Sequence, residues 1–134
     1  MYSPIVSFAY LFGVGVLWGG TNPFLKKSTA GVDKIKYDSK IKTFFSEVKY
    51  FFCNWKYLIP FVLNQCGSVL YFFTLQNTEL SLAVPVANSL TFVFTWIVGM
   101  ALGEKPADKI SFTGTIFGMI LILFGITLCF LDKL

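Results

Sequence analysis

Amide, hydroxyl and aromatic side chains stand inside long uncharged stretches of this sequence, and they are the residues best suited to bind a small molecule. They are Trp18, Thr21, Asn22, Asn64, Gln65, Tyr71, Asn88 and Ser89. An amide both donates and accepts hydrogen bonds, and an aromatic ring offers a flat apolar wall, so together they suit a neutral or amphipathic solute. The predicted chemistry is reversible binding, in which no covalent bond is made or broken.

Helical spacing places several polar residues on shared faces. Asn64, Ser68 and Tyr71 follow an i, i+4, i+7 course down one face. The next helix has a shared face made of Ser81, Pro85, Asn88 and Thr95. We expect each face to point into a helix bundle. Two interpretations stay open: a polar cavity that holds a substrate, or hydrogen bonds that only join helices, because amides in hydrocarbon need partners.

No motif for catalysis or metal binding accompanies these residues. The sequence has no histidine, no Gly-x-Ser-x-Gly motif and no phosphate-binding glycine loop. We therefore expect no enzyme activity, no catalytic residue, no metal site and no cofactor. The three cysteines are odd in number and define no disulfide framework.

Four uncharged runs predict the fold. They cover residues 4–25, 57–78, 80–103 and 110–131, and each has at least 22 residues. A helix of about 22 residues rises roughly 33 Å, enough to cross a hydrocarbon core of about 30 Å. With 55% hydrophobic residues, the chain is predicted to be an all-α, polytopic membrane protein with one integral membrane domain, 1–134. We expect the first run to be a retained span, because it lacks the basic start and the cleavage site of a signal peptide.

Lysines are concentrated in two connections. Eight lie in the connection 26–56 and two lie between the third and fourth runs. By the positive-inside rule, both connections are expected to be cytoplasmic and both termini extracytoplasmic, in a membrane whose identity the sequence does not indicate. Because the net charge of +4 follows this topology, nucleic acid is not an expected partner.

The connection 26–56 contains an amphipathic segment, IKTFFSEVKYFFCNW. Its apolar residues recur at helical spacing: Ile41, Phe44, Phe45, Val48, Phe52 and Trp55. This pattern predicts an interfacial helix on the membrane surface, after a linker at 28–39. The basic residues expected to face anionic lipid are Lys26, Lys27, Lys40, Lys42, Lys49 and Lys56. Pro23 is expected to bend or thin the end of the first helix.

Glycines spaced four residues apart predict close helix packing, either within the chain or at a dimer face. The pairs are Gly15/Gly19, Gly99/Gly103 and Gly114/Gly118, with Gly125 seven residues further on. The short turns after the second and third spans predict that spans two to four are neighbours. Because the lysines favour one side of the membrane, any homodimer is expected to be parallel.

A family resemblance is carried by three segments and a glycine-striped last helix. WGGTNPFLKK, YLIPFVLNQCGSVLYFFTL and SLAVPVANSLTFVFTWIVGMALGE closely resemble the transmembrane protein 234 family, over nearly the whole chain. That family looks like a four-helix relative of the drug/metabolite transporter superfamily and resembles one half of an EamA-like transporter. The parts that imply this link are Leu70-Tyr71, Ala83 to Pro85, Gly103-Glu104 and Gly114 to Gly125.

The chain also resembles the small multidrug resistance transporters in size and span number. These are antiparallel dimers that exchange protons for cationic drugs through a glutamate in the first helix. When the end of the first helix of these transporters is aligned with Leu25-Lys26, Trp18 takes the position of their glutamate. The spacing of Gly118 and Gly125 matches their dimerising helix, so the resemblance implies the fold and the pairing but not proton coupling.

The sequence is therefore interpreted as a small transporter-like membrane protein that moves a neutral or amphipathic solute without an intramembrane carboxylate. The alternative is a non-transporting accessory or scaffold protein that assembles through its glycine-striped helices. The expected partners are the lipid bilayer, a small-molecule substrate, and a parallel second copy or another membrane protein.

Overall fold

Helices make up nearly the whole chain in the computed structural model, which describes residues 1–134. The α-helices are α1 (Pro4–Thr29), α2 (Lys40–Phe52), α3 (Trp55–Leu75), α4 (Leu80–Ala101) and α5 (Lys109–Leu131), and a short 3-10 turn covers Val32–Lys34. α1, α3, α4 and α5 are long and apolar enough to cross a membrane. The prediction of an all-α protein with four membrane-spanning helices is confirmed.

Polar caps fix where two of the spans begin. The Asn54 side chain accepts a hydrogen bond from the Lys56 backbone N–H at 3.1 Å, and Asp108 accepts one from the Ser111 N–H at 2.6 Å. Each cap satisfies an N–H group that the helix itself leaves without a partner. Because of these caps, α3 and α5 each begin directly after a connection that contains charged residues.

Gly103 ends α4 and meets no other part of the chain, so it does not act with Gly99 in packing within the chain. Its φ is +88°, in the left-handed region that favours glycine. The Glu104 N–H donates to the Gly99 carbonyl at 3.0 Å, and the Gly103 N–H donates to the Met100 carbonyl at 3.1 Å. These two bonds are the Schellman arrangement that closes a helix C-terminus.

α1 is the central helix, with α3 and α4 both packed on it and α5 attached to α4. Leu11 and Val14 of α1 are fully buried and belong to one core with Ala83, Val86 and Ala87 of α4. α3 touches α4 very little, so the expectation that spans two to four are neighbours holds only for α4 and α5. α4 packs mainly on α1 because one face of α1 consists of small residues and lets the two helix backbones approach closely.

Gly15 and Gly19 form that small-residue face. A Cβ atom at Gly19 would stand 2.5 Å from the Thr91 carbonyl oxygen and 2.6 Å from the Phe94 Cβ. A Cβ atom at Gly15 would stand 2.6 Å from the Leu90 Cβ. Backbone-level approach of this kind provides the van der Waals contact that holds helices together in lipid, where burial from water does not.

α1 continues through Pro23 to Thr29, so the helix does not thin at the proline, and a bend there stays a prediction. The fixed φ of proline suits a helix, and the loss of one N–H donor is tolerated where neighbouring helices surround the chain. Pro23 is buried, and a Cβ on Gly99 of α4 would lie 3.9 Å from its Cγ. Lys26 and Lys27 therefore lie in the last helical turn, where a positive charge interacts favourably with the negative end of the helix dipole.

The end of the bundle away from the lysine-rich connection is held by polar contacts. The Thr78 hydroxyl in the α3–α4 turn donates to the Ser7 hydroxyl of α1 at 3.0 Å, and both residues are buried. Lys133, just after α5, forms an ion pair with Glu79 in the same turn. The Glu79 carboxylate raises the pKa of Lys133 by accepting its hydrogen bond and through its charge.

α2 lies beside the start of α3 with its aromatic face uncovered by the chain. Phe44 and Phe45 are 60% and 65% exposed, as expected if this face enters a membrane surface, which stays a prediction. The Tyr50 hydroxyl donates to the Ser28 carbonyl at 3.0 Å and so ties α2 to the end of α1. Trp55 is the first residue of α3 and not the last residue of the amphipathic helix, as the sequence pattern had suggested.

α5 is the least covered span, with 6% of its most apolar stretch buried. It contacts the rest of the chain through residues that include Ile126, which joins the core. Cβ atoms at Gly114, Gly118 and Gly125 would meet nothing within 4 Å. The glycine stripe of α5 therefore plays no part in packing within the chain.

Candidate functional site

Four polar side chains meet where α1, α3 and α4 come together. The Asn64 amide donates to the Thr21 hydroxyl at 2.8 Å and lies 3.5 Å from the Asn22 side-chain oxygen. The Asn22 amide in turn donates to the Thr95 hydroxyl at 3.3 Å. We call Thr21, Asn22, Asn64 and Thr95 the amide cluster, and it joins three membrane-spanning helices.

The backbone of α1 orients Thr21 for this role. Its hydroxyl lies 2.6 Å from the Leu17 carbonyl oxygen and 3.1 Å from the Trp18 carbonyl oxygen, to which it donates. A helical threonine commonly donates back to the preceding turn in this way. The hydroxyl proton is thereby engaged, so the oxygen is left to accept from Asn64.

An aromatic wall stands one turn away from the amide cluster. The Trp18 indole N–H donates to the Ser68 hydroxyl at 3.2 Å, and the Trp18 and Tyr71 rings lie 5.1 Å apart. A Cβ atom at Gly67 would come within 2.8 Å of the Trp18 ring. The absence of a side chain at Gly67 therefore makes room for the indole against α3.

The site is electrically neutral. The nearest charges along α1 and α4 are Lys26 and Glu104, which pair with each other at 3.0 Å and are both exposed. Two of the cluster contacts, at 3.3 and 3.5 Å, are longer than the usual 2.9 to 3.0 Å or so for an N–H···O bond. Neutral and partly loose hydrogen bonds suit exchange with a hydroxyl or carbonyl group of a neutral molecule.

The structure brings together five of the eight predicted binding residues: Trp18, Thr21, Asn22, Asn64 and Tyr71. The side chains of Gln65 and Asn88 are exposed and make no hydrogen bond with the chain. Ser89 is half-buried outside the cluster. The expectation that Asn88 points into the bundle was wrong, because the neighbouring Ala87 occupies the side of α4 that is buried in the core.

Two residues missing from the predicted binding set complete the site. Thr95 accepts from Asn22, and Ser68 accepts from Trp18. Both hydroxyls stood on the polar faces recognised in the sequence, so their spacing was the available signal. No group of three or more His, Cys, Asp and Glu side chains that could hold a metal ion comes together.

The best-formed cavities are lined by other residues than Trp18, Asn22, Asn64 and Tyr71. Thr95 alone of the cluster borders one of them, a cavity of about 260 Å³ between α4 and the start of α5. In this conformation the four side chains of the amide cluster are hydrogen-bonded to one another.

Comparison with known proteins decides the family. The family described as "Putative transmembrane family 234" matches residues 11–130. The chain belongs to this family. The matched range contains the whole amide cluster and both aromatic residues beside it, and the family description agrees with a multi-pass membrane protein.

Two relatives within transmembrane family 234 are matched over most of their length. A transmembrane protein 234 homolog of Anopheles gambiae is 46% identical over 121 residues, which is 90% of this chain and 84% of the relative. One of Dictyostelium discoideum is 43% identical over 120 residues, or 90% of this chain and 91% of the relative. No solved structure matches. The family assignment made from the residues is confirmed.

Proposed function

We propose that this member of transmembrane family 234 is a small transporter-like protein of the drug/metabolite transporter type, which moves a neutral or amphipathic solute. The amide cluster carries the proposal, because neutral donors and acceptors from three spans converge at Asn64.

The solute would enter by replacing the weakest contacts of the cluster. A hydroxyl or carbonyl group of the solute takes the place of the long contacts of Asn22, while Trp18 and Tyr71 provide an apolar wall. Exchange of one neutral hydrogen bond for another costs little, since a polar contact in a membrane protein contributes about 0.6 kcal/mol on average. No span contains a carboxylate that could couple this exchange to protons.

Assembly is part of the proposal. A single chain leaves α5 almost uncovered, and a parallel second copy placed against it would complete a larger bundle. Each copy would then contribute one amide cluster.

Replacement of Asn64 by leucine tests transport. We expect an Asn64→Leu variant in liposomes to lose solute flux at least tenfold while it still inserts, since loss of one polar contact changes the stability by about 2 kcal/mol at most. Flux is measured for a panel that contains a neutral sugar, a zwitterionic amino acid and an amphipathic dye.

Gln65→Leu is the matched control, because it makes a similar change at the next residue, whose side chain is exposed and makes no hydrogen bond with the chain. It is expected to keep wild-type flux. Equal flux in wild type and Asn64→Leu for every transported solute would rule out the amide cluster as the binding site.

A second candidate is an accessory or scaffold protein, and the open glycine stripe of α5 favours it. On either proposal, a Gly118→Leu/Gly125→Leu variant is expected to weaken self-association or partner association at least tenfold, because leucine prevents close backbone approach. Association is measured by crosslinking and by single-molecule photobleaching in lipid. Thr113→Leu, an exposed change on another side of α5, should leave association unchanged.

The two candidates differ in the variant that disables them. Transport requires that Asn64→Leu abolishes flux although the assembly is retained. A scaffold tolerates Asn64→Leu and fails only when the α5 stripe is blocked. Association that survives in the Gly118→Leu/Gly125→Leu variant would remove this stripe as an interface.

The proposed orientation places the lysine-rich connection in the cytoplasm and the turn between α3 and α4 outside it. A glycosylation acceptor carried on a Gly/Ser insertion between Asn77 and Thr78 is expected to be modified in a lumenal compartment. The same insertion placed at Asp38 should remain unmodified. The reverse pattern would show that the orientation is inverted.

A further inference from the structure

A cleft of about 550 Å³ opens between the end of α1, the start of α3 and the end of α4. Apolar residues line it on three sides, with Phe24 from α1, Ile59 from α3 and Leu102 from the end of α4. Lys27, Lys56 and Trp55 also line it. Its volume falls within the roughly 300 to 1,000 Å³ typical of small-molecule sites.

The cleft has uncompensated positive charge. Lys26 is neutralised by Glu104 at 3.0 Å, but Lys27 and Lys56 take part in no ion pair. Lys56 also lies in the first turn of α3, where the helix dipole adds a partial positive charge. An apolar cleft with two free ammonium groups is complementary to a molecule with an acyl chain and an anionic head.

The order of these residues along the helices matches the layers of a bilayer. Lys27 lies about one turn beyond Phe24 in α1, and Ile59 lies about one turn inside Lys56 in α3. Trp55 stands beside Lys56, and tryptophan is enriched at the boundary between headgroups and hydrocarbon. The lysines are therefore at headgroup level and the apolar walls are at acyl-chain level.

We propose that this cleft is a binding site for one anionic phospholipid of the lysine-facing leaflet. The lipid phosphate lies between Lys27 and Lys56, and an acyl chain runs along Phe24, Ile59 and Leu102. The site is separate from the amide cluster, so it holds whether or not the protein transports a solute.

Quenching of tryptophan by brominated lipid tests the site. The protein is placed in phosphatidylcholine vesicles that contain equal small fractions of brominated phosphatidylserine or brominated phosphatidylcholine. Each lysine near a membrane surface favours anionic lipid by about 1 kcal/mol, or about fivefold. We expect stronger quenching by the brominated serine lipid, and we expect a Lys27→Gln/Lys56→Gln variant to lower its apparent affinity roughly 25-fold.

Three matched variants keep the result specific. Lys34→Gln/Lys36→Gln removes the same charge from the exposed linker before α2 and should keep the preference, and Lys27→Arg/Lys56→Arg should also keep it. Trp55→Phe should abolish the preferential quenching, because Trp18 and Trp96 do not line the cleft. Equal quenching by the two brominated lipids in the wild type would overturn the proposal.

Two further outcomes would also overturn it. Loss of the preference in Lys34→Gln/Lys36→Gln would mean that the total charge of the connection attracts the lipid, without a defined site. Reversal of the quenching by inorganic phosphate would mean that the cleft binds a free anion, since a lipid held by its acyl chain would resist this competitor.

Discussion

A Gly19→Ala variant is expected to lose about 3 kcal/mol of unfolding free energy, the upper part of the usual range for overpacking. The added methyl group would stand 2.5 Å from the Thr91 carbonyl oxygen and 2.6 Å from the Phe94 Cβ. Neither atom is the free end of a flexible side chain, so α1 and α4 must move apart to accept it. Reversible unfolding in mixed micelles measures the loss.

Gly20→Ala is an unusually close control for this prediction. Gly20 is the next residue of the same helix, and a Cβ atom there would meet nothing within 4 Å. Alanine is favoured over glycine inside a helix by about 0.5 to 1 kcal/mol, so this variant should match or exceed the wild type in stability. If Gly19→Ala were as stable as Gly20→Ala, the close approach of α1 and α4 would be disproved.

Trp18→Ala is the second change with a large expected effect. Large-to-small changes at aromatic residues typically cost about 3 to 5 kcal/mol, and the half-buried indole places this one near the lower end. The loss includes the hydrogen bond to Ser68 and the contact with the Tyr71 ring. The measurement is again the free energy of unfolding in micelles.

A second tryptophan provides the comparison. Trp55 is 73% exposed, so Trp55→Ala should change the stability by less than about 1 kcal/mol in micelles without anionic lipid. Trp18→Phe, Ser68→Ala and the double variant form a cycle that isolates the hydrogen bond, expected at about 0.6 kcal/mol. A similar loss in Trp18→Ala and Trp55→Ala would contradict the packing of Trp18 against α3.

The spans and part of the site could be predicted from the sequence for one physical reason. Hydrocarbon excludes charge, so the uncharged runs mark the four spans, and amides inside them mark the places where polar partners are needed. Asn64 and Tyr71 were placed on one face of α3 by helical period alone. That face does contact α1 in the structure.

Which helices pack against each other could not be predicted, because glycine pairs of the same spacing have different surroundings along this chain. Gly15/Gly19 and Gly114/Gly118 have identical spacing, yet the first pair packs against α4 and the second meets nothing. Lipid chains and protein interiors are similarly apolar, so hydrophobic period does not tell which face of a span points inward. Asn88 was misplaced for this reason.

The cleft at the lysine-rich end was missed because its walls come from three separate segments. Phe24, Ile59 and Leu102 are ordinary apolar residues in their own helices and form no local pattern. Lys26 was expected to face lipid but pairs with Glu104. This pair could not be predicted, because it depends on how the chain turns at the end of α4. The Schellman turn at Gly103 brings that carboxylate back over Gly99.

The central position of α1 has a consequence for biosynthesis. The ribosome delivers α1 first, while Asn64 follows Thr21 by 43 residues and Thr95 follows Asn22 by 73. Until α4 has emerged, the side-chain N–H group of Asn22 lacks its partner Thr95, although the side-chain oxygen can already accept from Asn64 of α3. We therefore expect the insertion machinery to retain α1 until α4 has emerged. A photocrosslinker at Asn22 should crosslink to that machinery in chains halted before residue 95. The crosslink should disappear in chains that are slightly longer.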